Sequence, residues 1–475
     1  MSERLDLCGK GGYMTRSCEV AIVGGGPAGY VAARRLGQLG RDVVLVEGDQ
    51  VGGTCLNQGC IPTKALYSAT EPLARRDLFD KMGIHQRIDV DIETLRDWTK
   101  GVVARLREGV ERLLAASGVE VIRARARLSG PGRLKLSTEN GEKELEARAV
   151  VLATGSAPIE LSTLPFDGER IWSSREALAL PKVPEHLVVV GGGVIGLELA
   201  TVYRRLGSRV TVVEMQDRLL PGIDLSRRGL VALGQALKQQ GIRVLLDSMA
   251  AGHTEEGLLV RTPEGEEEVP CDAILVAVGR RPAPRGLGLE TVGIEAKQGF
   301  VPTDPAFRAA PGVYAIGDLR GGPLLAHKAT HEGLLVAELL ARSRPLPDVD
   351  RWTIPQAIFT QPEIGLVGLS EREARQAGHQ VVVGRFPFGA LGRALAAGEQ
   401  LGHFQVVAEQ GSGRVLGAEI VGPHASDLIA EAALAIQNGL TLDQLADTIH
   451  AHPTFPEGLW EAALAALMRP LHLAG

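Results

Sequence analysis

The sequence predicts an α/β chain in which two similar strand–turn–helix–strand units are followed by a C-terminal α+β domain. Two observations carry this. Residues 19–23 (EVAIV) form a short apolar run that meets Gly24-Gly25-Gly26-Pro27-Ala28-Gly29, then a helical stretch to Leu39 and a strand, 42–46, closed by Glu47. Residues 187–190 (LVVV) meet Gly191-Gly192-Gly193-Val194-Ile195-Gly196, then a helical stretch to about Leu206 and a strand, 209–213, closed by Glu214.

This is the grammar of Rossmann-like dinucleotide-binding units. The glycines supply the tight turn, the close backbone approach to a pyrophosphate and the helix–strand contact. The helix N-terminus favours the phosphates. The acid about 20 residues further on accepts a hydrogen bond from a ribose hydroxyl. One glycine fingerprint is a weak signal, but here its context is complete twice.

The remaining elements follow in order. Residues 61–117 read as helical, rich in Arg, Leu and Ala. Short strands fill 119–151, with turns at 129–132 and at Asn140-Gly141. Strands are expected near 243–246, 258–261 and 273–278, then a Pro-rich break at 280–284. The apolar run 313–316 meets Gly317-Asp318. After a linker-like stretch, 342–347, the pattern changes to alternating strands from Thr353 and helices at 427–438 and 442–446, an α+β domain.

Composition narrows the function. The 475 residues exceed what one hydrophobic core organises, so two to four domains are expected. Net charge is −6 with acids and bases interspersed, which argues against a nucleic-acid partner. No run approaches 18 apolar residues, so no membrane span is expected. Residues 1–17 carry Glu3, Asp6, Lys10 and Arg16 and no apolar core; they read as a disordered lead-in and not as a secretory signal.

There are five cysteines, too few for a disulfide framework, and a reducing, cytoplasmic compartment is expected. Cys55 and Cys60 stand just after the first ribose acid, before the helical stretch. Their spacing is wrong for a zinc pair, and no second Cys/His pair completes a tetrahedral site, so no metal is expected. A thiol at a helix N-terminus is favoured as thiolate. A thiol pair attached to one nucleotide unit, with a second unit following, suits electron transfer between a dithiol and a nicotinamide.

From about residue 18 the sequence resembles the pyridine nucleotide–disulfide oxidoreductases. The carriers are GGTCLNQGCIPTKAL (52–66), VLATGS (151–156), VVVGGGVIGLELA (188–200), VAVGRRP (276–282), YAIGD (314–318), LAHKATHEG (325–333) and HAHPTFPEGL (450–459). The resemblance implies a homodimer with an FAD-binding domain (18–158), an NAD-binding domain (159–282), a central domain completing the FAD site (283–347) and an interface domain (348–475). It makes Cys55 the interchange thiol and Cys60 the thiol beside the flavin. Lys64 is implied near the flavin, paired with Glu198. His452 and Glu457 become a base dyad serving the other subunit.

The implied FAD contacts are Gly24, Gly26, Gly29, Glu47, Gly53, Thr54, Lys64, Thr154, Gly155, Asp318 and Ala326. The implied NAD contacts are Gly191, Gly193, Val194, Gly196, Glu214 and Gly279. Glu214 repels a 2′-phosphate, and Val194 stands where NADPH-using relatives place a Tyr. The C-terminus lacks the Cys pair of mercuric reductases. The chain is therefore most similar to the members that oxidise dihydrolipoyl groups with NAD, which implies a lipoylated carrier protein or a lipoyl domain of a multienzyme complex as partner. A related reductase with another disulfide substrate, and chiefly an assembly subunit, are the alternatives. Gln58 replaces the usual aliphatic residue and either bonds a thiolate or substrate or faces solvent. Ala283 replaces the usual Asn. Cys18 and Cys271 match no redox position and are expected to pack as small apolar groups; His450 has no assigned role.

Overall fold

The computed structural model describes residues 16–282, 284, 286–342 and 354–473. Residues 1–15 of the expected lead-in, with Cys8, and likewise Ala283 and residues 343–347 of the expected linker, lie outside the described residues. Contacts divide the chain into two units: 1–62, 96–159 and 280–349 in the first, and 63–95, 160–279 and 350–475 in the second.

The first unit is built on a sheet in the order Arg308–Ala310, Val313–Ala315, Gly141–Leu152, Arg16–Val23, Val43–Glu47, Glu120–Arg123. All of these pairings are parallel except the first, Arg308–Ala310 with Val313–Ala315. Ala21, Ile22, Val44 and Leu45 are fully buried, as parallel strands covered on both faces require. The helix Pro27–Gln38 starts with a proline, whose fixed φ suits the first helical position. Strands Arg125–Gly130 and Arg133–Thr138 extend the sheet as antiparallel hairpins onto Gly141–Leu152.

The second unit holds a parallel sheet in the order Ile242–Leu245, Arg209–Val213, His186–Val190, Ala273–Val276, Ile171–Trp172. An antiparallel hairpin sheet, Met249–His253, Gly257–Thr262 and Gly265–Pro270, is inserted between its strands Ile242–Leu245 and Ala273–Val276. The C-terminal part is an antiparallel sheet in the order Gln356–Ile358, Glu363–Gly368, Val415–Gly422, His403–Glu409, Val381–Pro387. Helices Ala425–Gln437 and Glu457–Ala466 cover it through a core centred on Phe388, Phe404, Ile429 and Leu459. The two expected units and the α+β domain are thus present.

Four local expectations change. The first strand begins at Arg16, inside the expected lead-in 1–17, because its backbone pairing along Gly141–Leu152 continues to Arg16 opposite Leu145. The helical region expected over 61–117 is three helices, Cys60–Ala74, Arg76–Lys81 and Ile92–Ala116. Gly83, at φ +81°, ends the second, and Asp91 caps the third by accepting from the N–H groups of Glu93 and Thr94. Cys55 lies inside a short helix, Gly53–Gln58, that the sequence pattern did not announce. The break at 280–284 contains a strand, Arg280–Pro282, antiparallel to Ser156–Pro158. Cys18 and Cys271 are buried in apolar clusters, and burial pushes the Cys18 thiol up to about 12.

Candidate active site

In the first unit the strand Arg16–Val23 delivers the chain into a turn that only glycine fits. Gly24 sits at φ +104°, and a Cβ there would fall 2.4 Å from the Ala153 carbonyl oxygen. A Cβ on Gly29 would fall 1.8 Å from the Gly24 carbonyl oxygen. Gly26 and Gly53 face each other so closely that a Cβ on Gly53 would lie 2.6 Å from the Gly26 Cα. Two helix N-termini, Pro27–Gln38 and Gly53–Gln58, therefore open beside one bare stretch of backbone. Glu47 is held by the N–H groups of Gly25 (2.5 Å) and Asp49 (2.8 Å).

The same unit carries the thiols. Cys55 lies in the helix Gly53–Gln58, and Cys60 opens the helix Cys60–Ala74; both are half-buried. Asn57 donates to the carbonyls of Val51 and Gly53 at 3.1 and 3.0 Å, which fixes the Cys55 helix on its own entry loop. Gln58 is half-buried.

Asp318 ends a chain of polar contacts that the sequence reading missed. The Ser156 hydroxyl donates to Asp318 Oδ2 at 2.6 Å, and Arg280 donates to Ser156 through Nε (2.9 Å, to Oγ) and Nη2 (2.6 Å, to the carbonyl). Arg280 Nη2 also lies 3.5 Å from Thr54 Oγ1. Burial pushes the Arg280 pKa down, opposed by Asp318 and Cys60. Arg280 stands in the quoted VAVGRRP segment, which is the signal that marked it. Glu332, fully buried, accepts from the Gly317 N–H (2.6 Å) and from Arg320 (2.7 Å), and Lys328 lies 3.2 Å away, so the turn before Asp318 is rigid. Gly155 takes φ +71°, and Ala326 opens the helix Ala326–Arg342.

These residues fit FAD. Thr154 has a buried hydroxyl with no hydrogen-bond partner among the described residues. The glycine notch leaves main-chain N–H groups and two helix N-termini for a pyrophosphate. Glu47 and Asp318 carry carboxylate oxygens able to accept from the hydroxyls of such a group.

The second unit repeats the turn. Gly191 has φ +110°, with a Cβ position 2.6 Å from the Ala277 carbonyl oxygen, and a Cβ on Gly196 would meet the Gly191 oxygen at 2.1 Å. A Cβ on Gly193 would meet nothing within 4 Å, so the space before the helix Val194–Arg205 is open where a pyrophosphate belongs. Glu214 is buried and accepts from the N–H groups of Gly192 (2.7 Å) and Gln216 (2.8 Å). Gly279, at φ +118°, follows the neighbouring strand Ala273–Val276. The arrangement fits NAD.

Two further sets lie in the second unit. Lys64 Nζ contacts both Glu198 oxygens, at 3.0 and 2.8 Å. Glu198 is 5% exposed, so removing Lys64 would leave a buried carboxylate short of its cation. His452 Nδ1 lies 2.8 Å from Glu457 Oε1, and Glu457 Oε2 accepts from the Thr454 N–H at 2.7 Å. Burial raises the Glu457 pKa, but the Thr454 N–H and His452 outweigh it and hold the carboxyl below its usual range. The charged carboxylate favours a proton on Nδ1 and leaves Nε2 to take another. His450 is separate: it bonds Glu431 (2.8 Å) and the Thr448 carbonyl (2.9 Å).

Among the described residues no group of three or more His, Cys, Asp or Glu is placed to hold a metal, and no helix is long and apolar enough to cross a membrane.

Paired nucleotide turns, a thiol pair at adjoining helices and a His–Glu dyad define a flavin-dependent pyridine nucleotide–disulfide oxidoreductase. The chain belongs to the pyridine nucleotide-disulphide oxidoreductase family, whose model matches residues 18–333, with the family's dimerisation domain matching 354–463. It is an oxidoreductase whose cofactors are FAD and NAD. Among curated relatives, it is 44% identical to a dihydrolipoyl dehydrogenase of Halobacterium salinarum, with 97% of this chain and 98% of that one covered. It is 45% identical to a dihydrolipoyl dehydrogenase of Pseudomonas aeruginosa, covering 95% and 98%. Among solved structures, LpdA from Mycobacterium tuberculosis superimposes with a TM-score of 0.87 at 30% identity, covering 94% of this chain and 99% of that one.

Proposed function

We propose that the chain is a dihydrolipoyl dehydrogenase. It oxidises a protein-bound dihydrolipoyl group to the disulfide and passes the electron pair through Cys55/Cys60 and FAD to NAD. The observation that carries this reading is the His452–Glu457 contact at 2.8 Å in a chain 40–45% identical, over nearly its full length, to proteins of that name. The His452 side chain is 78% exposed, open to a substrate thiol, while Glu457 holds the other side of the ring.

His452 takes the proton of one substrate thiol at Nε2. The resulting thiolate attacks Cys55 Sγ; a new S–S bond forms, the Cys55–Cys60 bond breaks, and Cys60 leaves as a thiolate. Once that first proton has passed to solvent, His452 takes the proton of the second substrate thiol, whose sulfur attacks the substrate sulfur of the mixed disulfide and releases Cys55 as a thiolate. The substrate is then oxidised and the cysteine pair carries two electrons. FAD and NAD, when bound, supply the relay that takes those electrons away as NADH.

The FAD contacts assigned here are Gly24, Gly26, Gly29, Glu47, Gly53, Thr54, Thr154, Gly155, Asp318 and Ala326, with Lys64, braced by Glu198, near the flavin. The NAD contacts are Gly191, Gly193, Val194, Gly196, Glu214 and Gly279. With them goes the division into domains at 18–158, 159–282, 283–347 and 348–475. The matched dimerisation domain supports a homodimer, and the dyad is assigned to the disulfide of the partner subunit. The partner protein is a lipoylated carrier, and the compartment is cytoplasmic, in keeping with the sparse cysteines.

The test is NADH formation from free dihydrolipoamide by the purified protein. Wild type should turn over, and Cys55→Ser should be inactive while still passing electrons from NADH to an artificial dye. Loss of both activities, or retained lipoamide turnover, rejects the thiol assignment.

A further inference from the structure

Lys64 is gripped from more than one side. Besides Glu198, its ammonium sits 4.3 Å from the centroid of the Phe359 ring. The backbone N–H of Phe359 donates to Glu198 Oε1 at 3.0 Å. One residue, nearly 300 positions away in sequence, thus offers its ring face to the cation and its amide to the carboxylate.

Phe359 is itself fixed. Its ring meets the edge of Tyr67 at 5.8 Å and 81°. The Tyr67 hydroxyl donates to the Thr360 carbonyl at 2.9 Å, and the Arg205 guanidinium lies 4.3 Å from the Tyr67 ring centroid. Arg205 also donates to the Tyr67 carbonyl (3.1 Å) and to Gln361 (3.1 Å). The segment 359–361 is therefore pinned to the helix Cys60–Ala74 at Lys64 and again at Tyr67. A cation over an aromatic face is attracted by the ring quadrupole, more strongly where water is reduced. Glu198 offsets part of the lysine's field; the aromatic face holds the charge in place without offsetting it.

We propose that Phe359 is a positioning residue. It keeps the Lys64 ammonium at a fixed place, so that the lysine sets the reduction potential of the flavin. This rests on Lys64 lying near the flavin, as assigned above. A fixed positive charge favours an electron-rich neighbour, so loosening it lowers the potential. Phe359 is half-buried, and a leucine there keeps apolar bulk while removing the ring face.

The test is the two-electron midpoint potential of bound FAD in the holoenzyme, measured as a double-mutant cycle. Phe359→Leu should shift the reduction equilibrium about three- to tenfold toward oxidised flavin, roughly 15–30 mV at 29.6 mV per tenfold. Phe359→Tyr should stay near wild type. Lys64→Met alone should lower the potential further, and adding Phe359→Leu to it should change nothing more, because the ring acts through the lysine. A Phe359→Leu shift that persists undiminished beside Lys64→Met, or no shift at all while Lys64→Met lowers the potential, overturns the role of Phe359. If Lys64→Met itself leaves the potential unmoved, the placement of Lys64 near the flavin falls, and the proposal with it.

Discussion

At the residue scale, the proposed preference for NAD turns on the fixed charge of Glu214. Both of its oxygens accept backbone N–H groups and the side chain is 6% exposed, so the carboxylate is held at the end of its strand. A 2′-phosphate brought to about 4 Å would meet a repulsion on the order of 4 kcal/mol at an effective dielectric near 20, and salt reduces this. NAD should therefore be preferred over NADP by about 10²-fold or more in kcat/KM. Glu214→Ser with a neighbouring arginine added should narrow the gap. Equal kcat/KM for both cofactors in the unaltered protein would show that Glu214 does not face the ribose.

At the element scale, the segment before the dyad is anchored by His450. Its two ring nitrogens bond Glu431 and the Thr448 carbonyl, an arrangement that needs both nitrogens to donate and so favours the cation. The Glu431 contact, against an opposing burial effect, raises the His450 pKa above 6.5. A raised folded pKa gives a stabilisation that is fully present below 6.5 and lost as pH rises through the folded value. Thermal melts should show this loss on the alkaline side of 6.5, and His450→Gln should remove that part of the pH dependence. A His450→Gln melting profile parallel to wild type across that range would refute the anchor. Glu457 runs the other way: its depressed pKa gives a contribution present above 4.5 and lost as pH falls through the folded value.

The same scale shows what the sequence could reveal. The two glycine turns were legible because strand, turn, helix and acid recur in one order and each part has its own physical reason. The helix Gly53–Gln58 was not: it has six residues, only Leu56 is buried, and no apolar period can develop over so short a span. The gap between Lys81 and Ile92 left signals that composition hid, namely Gly83 as a stop and Asp91 as a cap. Arg280–Pro282 read as a breaker because of its proline, which a two-stranded edge pairing tolerates. The Arg280–Ser156–Asp318 chain and the Phe359 contact to Lys64 join residues more than 120 positions apart, and periodicity carries no information at that range.

At the scale of the whole molecule, each proposed active site is the work of two copies. Exposed apolar residues within the matched dimerisation segment, Ile449 at 97% and Leu434 at 63%, support a covering partner. His452→Gln should retain FAD and lose about 10²-fold or more of lipoamide turnover, the scale of a lost general base. Dye reduction by NADH, which needs no thiol interchange, should fall far less. The most direct test mixes two inactive variants, Cys55→Ser and His452→Gln, under conditions that exchange subunits. A mixed dimer then has one site with both defects and one with neither. Random mixing makes about half of the dimers mixed, so activity should return toward about a quarter of wild type. If mass measurement confirms the exchange and no activity returns, His452 does not serve the disulfide of the partner subunit.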